Sequence, residues 1–174
     1  MRLKFSFPLF FIIAANIGFS QEPPSSEKDI EKAYQKRITK EYIYNVYIPQ
    51  DLTDAFVQLN KLIDKESKKN FKEVNEGVAV KKLHFSLGRW MIYNWGFYEG
   101  SRLSHSIRQM GIYHPDEMAR FIIITYHRYL NKEELKVKEL IEQFAEQQEK
   151  AKEARKSRGK VIFEEKRKRQ DGGK

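Results

Sequence analysis

The apolar positions divide the chain into a short apolar leader, a polar stretch, a helical centre and a charged end. Leu52, Ala55, Phe56, Leu59, Leu62 and Ile63 recur at spacings of three and four, which puts them on one face of an amphipathic helix. Asp51 or Thr53 serves as its N-cap, because a short polar side chain there accepts an otherwise unmet backbone amide. A second short helix is expected from Glu66 to Val74, anchored by Phe71, with Gly77 separating it from the most apolar stretch. From Val78 to Trp95, the residues Val80, Leu83, Leu87 and Met91 form one stripe while Phe85, Trp90 and Ile92 widen it. A helix apolar nearly all round belongs at the centre of its domain. Gly96 ends it. Ser101 then caps a short helix whose face is Leu103, Ile107 and Met110 and whose stop is Gly111. His114 and Pro115 open the last core helix, in which Met118, Phe121, Ile122, Thr125 and Tyr129 face inward and Asn131 marks the end.

The run Tyr42, Ile43, Tyr44, Val46, Tyr47, Ile48, closed by Pro49, has strand composition. With no partner strand in view it is read as an extended lead-in. After Lys132 acids and bases alternate, and Val137, Ile141, Phe144, Gln148 and Ala151 keep a four-three repeat that fades towards its end. The expected fold class is therefore all-α: a compact bundle of about four to five helices, with an extended N-terminal lead-in and a long charged C-terminal helix. The organisation reads as a signal peptide over 1–20, a flexible linker over 21–41, in part helical from Asp29 onward, a helical core domain over 42–131, a charged amphipathic helix over 132–158 and a disordered basic tail over 159–174.

Arg2 and Lys4 precede an apolar run from Phe5 to Phe19, and Gly18 and Ser20 stand at the small-residue positions of a cleavage site. The run is shorter than the roughly 20 apolar residues of a spanning helix, and Pro8 and Asn16 interrupt it. An exported protein, periplasmic or extracellular and soluble after cleavage, is the expectation. The chain has no cysteine, which excludes disulfides, thiolate nucleophiles and Cys-ligated zinc. Its net charge of +9 is spread along the chain. For an exported protein this favours acidic glycans or lipid headgroups over nucleic acid as counter-charges, and the cluster Lys166 to Arg169 suits contact with a membrane surface.

Three strings then point to a family. His84-Phe85-Ser86-Leu87-Gly88-Arg89-Trp90, Asn94-Trp95-Gly96-Phe97-Tyr98-Glu99-Gly100-Ser101-Arg102-Leu103 and Gly111-Ile112-Tyr113-His114-Pro115-Asp116-Glu117-Met118 together resemble an uncharacterised bacterial domain family of stand-alone helical domains. The resemblance runs from Tyr47 to about Asn131, and it implies a domain boundary without implying an activity. Tyr93, Tyr98 and Glu99 depart from its pattern. His114-Pro115-Asp116 is also similar to the tripeptide of J-domain co-chaperones, but Gly111 breaks the preceding helix and periodicity resumes at Met118, so it reads as helix-start chemistry.

The candidate ligand-binding residues are Trp95, Tyr98, Gly100, Ser101, Arg102, His84, Arg89, Asn94, His114 and Asp116. His84 and Asn94 share a stripe with Val80 and Met91, so each either lines a pocket or pairs with backbone carbonyls. Arg89 on an apolar helix calls for Asp116 or Glu99 as partner. Gly100-Ser101-Arg102, flanked by Trp95, Phe97 and Tyr98, is read as an anion or acidic-sugar site at a helix start, with Arg102 giving a two-pronged contact. The other reading has Ser101 merely capping, Arg102 pairing with Glu99 or Asp116, and the aromatic residues closing the core. The four histidines lack zinc spacing and no phosphate-binding glycine loop is present, so neither metal nor cofactor is expected. The expected function is a non-enzymatic binding or interaction module of the cell envelope. Its partner would be an anionic glycan, a peptidoglycan fragment or an envelope protein, and the 132–158 helix offers a route to homo-oligomers. The alternative is a small envelope enzyme using His84, Arg89 and Ser101 to Arg102.

Overall fold

The computed structural model describes residues 26–171, with side chains to Ser157. The leader over 1–20 and the Pro23-Pro24-Ser25 stretch lie outside the described residues, as do the last three positions. Among the described residues the architecture is helical apart from one two-stranded ribbon.

Helix α1 spans Glu27–Arg37. The Ser26 side chain accepts the Asp29 amide, and Lys36 and Arg37 occupy the last turn, where positive charge suits the helix dipole. The helix occupies much of the stretch read as linker and begins two residues before Asp29, from which the sequence reading allows part of it to be helical. The lead-in is likewise corrected: β1 (Tyr42–Ile43) pairs antiparallel with β2 (Val46–Tyr47), Tyr42 opposite Tyr47. The partner strand was the second half of the same apolar run. Tyr44 and Asn45 turn it with φ of 49° and 63°, the left-handed pair that a two-residue hairpin needs.

Helix α2 (Leu52–Leu62) starts on Asp51, and α3 (Lys65–Glu73) on Asp64. The break before α4 (Glu76–Leu83) falls at Val74-Asn75 rather than Gly77, because Asn75 caps the new helix and Gly77 lies in its first turn. The expected single helix over 78–95 is interrupted by a π-helical turn at His84–Gly88, where the Arg89 amide reaches back to the His84 carbonyl, before α5 (Arg89–Asn94) resumes. The wider turn accommodates an extra residue, and the buried set shifts from Ala79 and Val80 before it to Gly88 at its end and Met91 and Ile92 after it. Phe85 is left 75% exposed. A side chain at Gly88 would place its Cβ 3.5 Å from Ile123 Cδ1 and 3.7 Å from Ala119 Cβ, so the glycine allows a close approach to the next core helix.

Helix α6 (Arg102–Gln109) and helix α7 (Pro115–Asn131) complete the domain. The buried centre is α7, not the 78–95 segment: every residue from Phe121 to His127 is buried, and α2 through α6 pack around it. Tyr129, expected inside, is 45% exposed, although its ring stacks on Phe56 at 4.9 Å. Lys132 ends α7 with φ of 58°.

Helix α8 runs Val137–Asp171. It docks through Leu140 and Phe144, both buried, while Val137 and Ile141 are half-buried and the seam positions Gln148 and Ala151 face outward. The helical backbone continues through 159–171, where disorder was expected. The run of Glu, Lys and Arg from Glu164 to Arg169 consists of good helix formers, and a single glycine such as Gly159 costs only about 1 kcal/mol in a helix.

Candidate functional site

The loop between α5 and α6 begins with Gly96 (φ 64°) and ends with Gly100 (φ 92°). Ser101 caps α6 in a reciprocal box: its hydroxyl accepts the Ser104 amide, and its own amide donates to Ser104 Oγ at 2.8 Å. Both serines are fully buried. Trp95 and Phe97 are buried too, Trp95 against Trp90 with ring centroids 5.6 Å apart. Trp95 is therefore core and cannot offer a face to a ligand. Tyr98, at 68% exposure, can.

The approach to Gly100 that a small ligand would need is occupied by the chain itself. The Tyr34 ring of α1 lies so close that a Cβ on Gly100 would sit 2.4 Å from Tyr34 Cδ2. The Tyr34 hydroxyl meets His105 Nδ1 at 2.9 Å, Arg37 Nε donates to the Gly100 carbonyl at 3.1 Å, and Arg37 Nη2 pairs with Glu99 at 2.6 Å. Arg102 turns away from this loop. Its Nε donates to the Ile48 carbonyl at 2.7 Å and its guanidinium lies 5.0 Å from the centre of the Tyr47 ring, so it pairs with neither Glu99 nor Asp116. Arg102 ties α6 to the ribbon and does not reach a ligand at Gly100.

Beside Arg102, Asp54 accepts from the Tyr47 hydroxyl at 2.8 Å and from the Gln50 amide at 3.0 Å. Partial burial pushes its carboxyl up, but those bonds, one from Gln58 and the nearby Arg102 charge together hold it below the usual carboxylate range. The Tyr47 hydroxyl is correspondingly raised, first by its hydrogen bond to Asp54 and then by burial.

What α1 and the loop do create is a cleft of about 640 Å³ lined by Ile30, Tyr34, Arg37, Tyr98, Glu99 and Arg108, among others. Arg108 is its distinctive member. Its guanidinium lies 5.6 Å from the centre of the Tyr34 ring, it pairs with no carboxylate among the described residues, and its sheltered Nε has no hydrogen-bond partner. Sequence reasoning missed Tyr34 and Arg37 because it left the 21–41 stretch, helical in part, outside the packed domain, and it missed Arg108 because the cleft that residue lines is walled by this same α1. The signal was present: Ser26 three residues before Asp29 is a helix-start pattern, and Ile30, Tyr34 and Arg37 follow at helical spacing.

Three predicted residues do converge elsewhere. His84 Nε2 lies 3.2 Å from one Asp116 oxygen, and His114 Nδ1 lies 3.5 Å from the other. His114 is also the N-cap of α7, accepting the Asp116 amide. The Asp116 contact leaves Nδ1 as the free nitrogen of His84. That nitrogen is buried without a partner, 3.3 Å from where a Cβ of Gly88 would stand. A histidine acts as a base on a substrate only through a nitrogen the substrate can reach. Asn94 donates back to the Trp90 carbonyl at 2.9 Å, and Arg89 is exposed, so it needs no carboxylate. The described residues include no group of three or more His, Asp or Glu arranged to hold a metal ion.

A second hollow, of about 670 Å³, lies between α3 and the C-terminal end of α7. Two of its groups are engaged within the fold: Arg128 grips Glu76 with two bonds of 2.7 and 3.0 Å, and His127 Nε2 meets the Val74 carbonyl at 2.9 Å. It reads as scaffold.

Residues 48–130 are similar to the family described as "Domain of unknown function (DUF6794)". That span coincides within a residue with the stretch from Tyr47 to Asn131 on which the three motifs lie, and it leaves α1 and α8 outside. No curated protein and no solved structure matches the chain.

Proposed function

We propose that the protein is a non-enzymatic binding module of the cell envelope, and that it holds an acidic sugar or peptidoglycan-type fragment in the cleft between α1 and α6. The observation that carries this reading is Arg108, a cation with no carboxylate partner among the described residues, in a cleft of about 640 Å³. A guanidinium takes a carboxylate through two parallel bonds, and the exposed Tyr98 ring beside it supplies a face for a sugar. The anion site therefore moves from Arg102, which the ribbon occupies, to Arg108. Envelope location rests on the Met1 to Ser20 pattern, and no described helix is long and apolar enough to cross a membrane.

Calorimetric titration with uronate-containing oligosaccharides and muropeptides tests this. The expected result is that Arg108→Ala weakens binding at least about tenfold, the scale of one lost charge-assisted contact, at little cost in melting temperature. Undiminished binding by Arg108→Ala, or no binding by the parent, overturns it.

The enzyme alternative has one observation in its favour, the meeting of His84, His114 and Asp116. It is weakened by the buried free nitrogen of His84, by the bond that holds Arg102 to the Ile48 carbonyl and by the exposure of Arg89, whose side chain bonds to none of the three.

A further inference from the structure

Lys65, Lys68, Lys69 and Lys72 stand at positions i, i+3, i+4 and i+7 of α3 and so share one face of the helix. They line a surface hollow of about 400 Å³ completed by Glu73 and Asn131. Lys68 donates to the Asn60 carbonyl at 2.9 Å and is thereby held in place; Lys65, Lys69 and Lys72 are exposed. None of the four forms an ion pair with a described residue.

Two of the four serve the fold, Lys68 by tying α3 to the Asn60 carbonyl and Lys72 by standing in the last turn of the helix, where positive charge suits its dipole. Like charges one turn apart, Lys65 with Lys69 and Lys68 with Lys72, oppose the helix that carries them. The burial of α3 rests on Phe71, on another face. The carbonyl end of α7 at Asn131 brings a partial negative charge of about one-half, and Glu73 brings a full one, so the hollow keeps a positive excess. Lys65 and Lys69 are exposed and, among the described residues, make no contact that ties α3 to the rest of the domain, so the positive excess of the hollow faces whatever anion enters it.

We propose that this hollow binds a phosphate-bearing polyanion, with Lys65, Lys69 and Lys72 as the mobile contacts and Lys68 as the fixed one. Lysine suits this ligand: an ammonium is a point charge that meets phosphate oxygens from many directions, without the planar fit a single carboxylate asks of arginine. The site is separate from the α1–α6 cleft and shares no residue with it.

The source of the phosphates, a free oligophosphate or a layer of lipid headgroups, is resolved by two arms of one experiment on the full chain. Inorganic tripolyphosphate is titrated calorimetrically, and phosphatidylglycerol vesicles are used in a sedimentation assay, each at two salt concentrations. Binding in at least one arm is expected, weakening as salt rises because counterions compete. The triple variant Lys65→Gln, Lys69→Gln, Lys72→Gln should weaken it at least about tenfold while melting at the parent's temperature or above. Should the triple variant fold poorly, Lys69→Gln with Lys72→Gln is the substitute and should weaken binding by a smaller factor. Arg108→Ala should leave it unchanged, which keeps this result distinct from that of the cleft. The proposal is overturned if the parent binds in neither arm, if the lysine variants bind as well as the parent, or if Arg108→Ala is the change that abolishes binding.

Discussion

Helix α7 buries every residue from Phe121 to His127, whereas α1 fully buries none of its eleven. The first is held by volume: Phe121, Ile122 and Tyr126 fill space among α2 through α6, and the stabilisation scales with apolar surface removed from water. The second is held by direction. One tyrosine ring closes on a glycine, its hydroxyl reaches His105, and one arginine bonds to a carbonyl and a carboxylate. The two modes of attachment divide the labour of the molecule. Packing around α7 keeps the domain folded, while the few aimed contacts of α1 wall the cleft in which Arg108 stands.

The largest expected effect is on the packed side. Phe121→Ala should lower unfolding free energy by about 3–5 kcal/mol in urea denaturation, as a lost transfer term and an unfilled cavity add together. A loss of less than about 1 kcal/mol would mean that α7 is not the packed centre.

Next comes alkaline pH. Burial pushes the Tyr126 hydroxyl up to about 12 from an ordinary 10.0, and it donates to Asn60 Oδ1 at 3.1 Å. The unfolded chain loses this proton at lower pH than the folded one. Tyr126 therefore contributes stability below pH 10.0 that is lost as pH rises towards 12, on the order of 2 kcal/mol. Melting curves from pH 9 to 11 should fall more steeply for the parent than for Tyr126→Phe. Parallel curves would show that burial does not hold this hydroxyl neutral.

Gly100→Ala probes the directed side. The left-handed backbone costs any side chain about 1 kcal/mol, and the new Cβ cannot coexist with the Tyr34 ring. The expected outcome is a loss of about 1–2 kcal/mol together with faster hydrogen exchange across 27–37 and unchanged exchange across α7. Slowed or unchanged exchange in α1 would break the comparison, since α1 would then be held by something other than its clasp on Gly100. The smallest effect is assigned to Arg89→Ala, within about 0.5 kcal/mol by thermal melting, as befits an exposed residue without a partner.

The helices of the 48–130 span were legible because their signals are local. Asp51, Ser101 and His114-Pro115 start helices whose apolar faces repeat every three to four residues, and Gly96 and Gly111 end them with positive φ. Caps, periods and glycine stops need only a few neighbouring residues, so the sequence by itself determined an all-helical domain and most of its punctuation. The tertiary structure decided what depends on residues far apart in the chain. It made α7 the centre instead of the 78–95 segment, because only packing tells two equally apolar helices apart. It opened the π turn at His84–Gly88, which lets Gly88 approach Ala119 and Ile123. It sent Arg102 to Ile48 across a separation of 54 residues and laid Tyr34 against Gly100. A guanidinium or a phenol can satisfy itself with many partners of similar energy, and which one it meets is settled by where the core leaves each helix, not by the residues beside it in the chain.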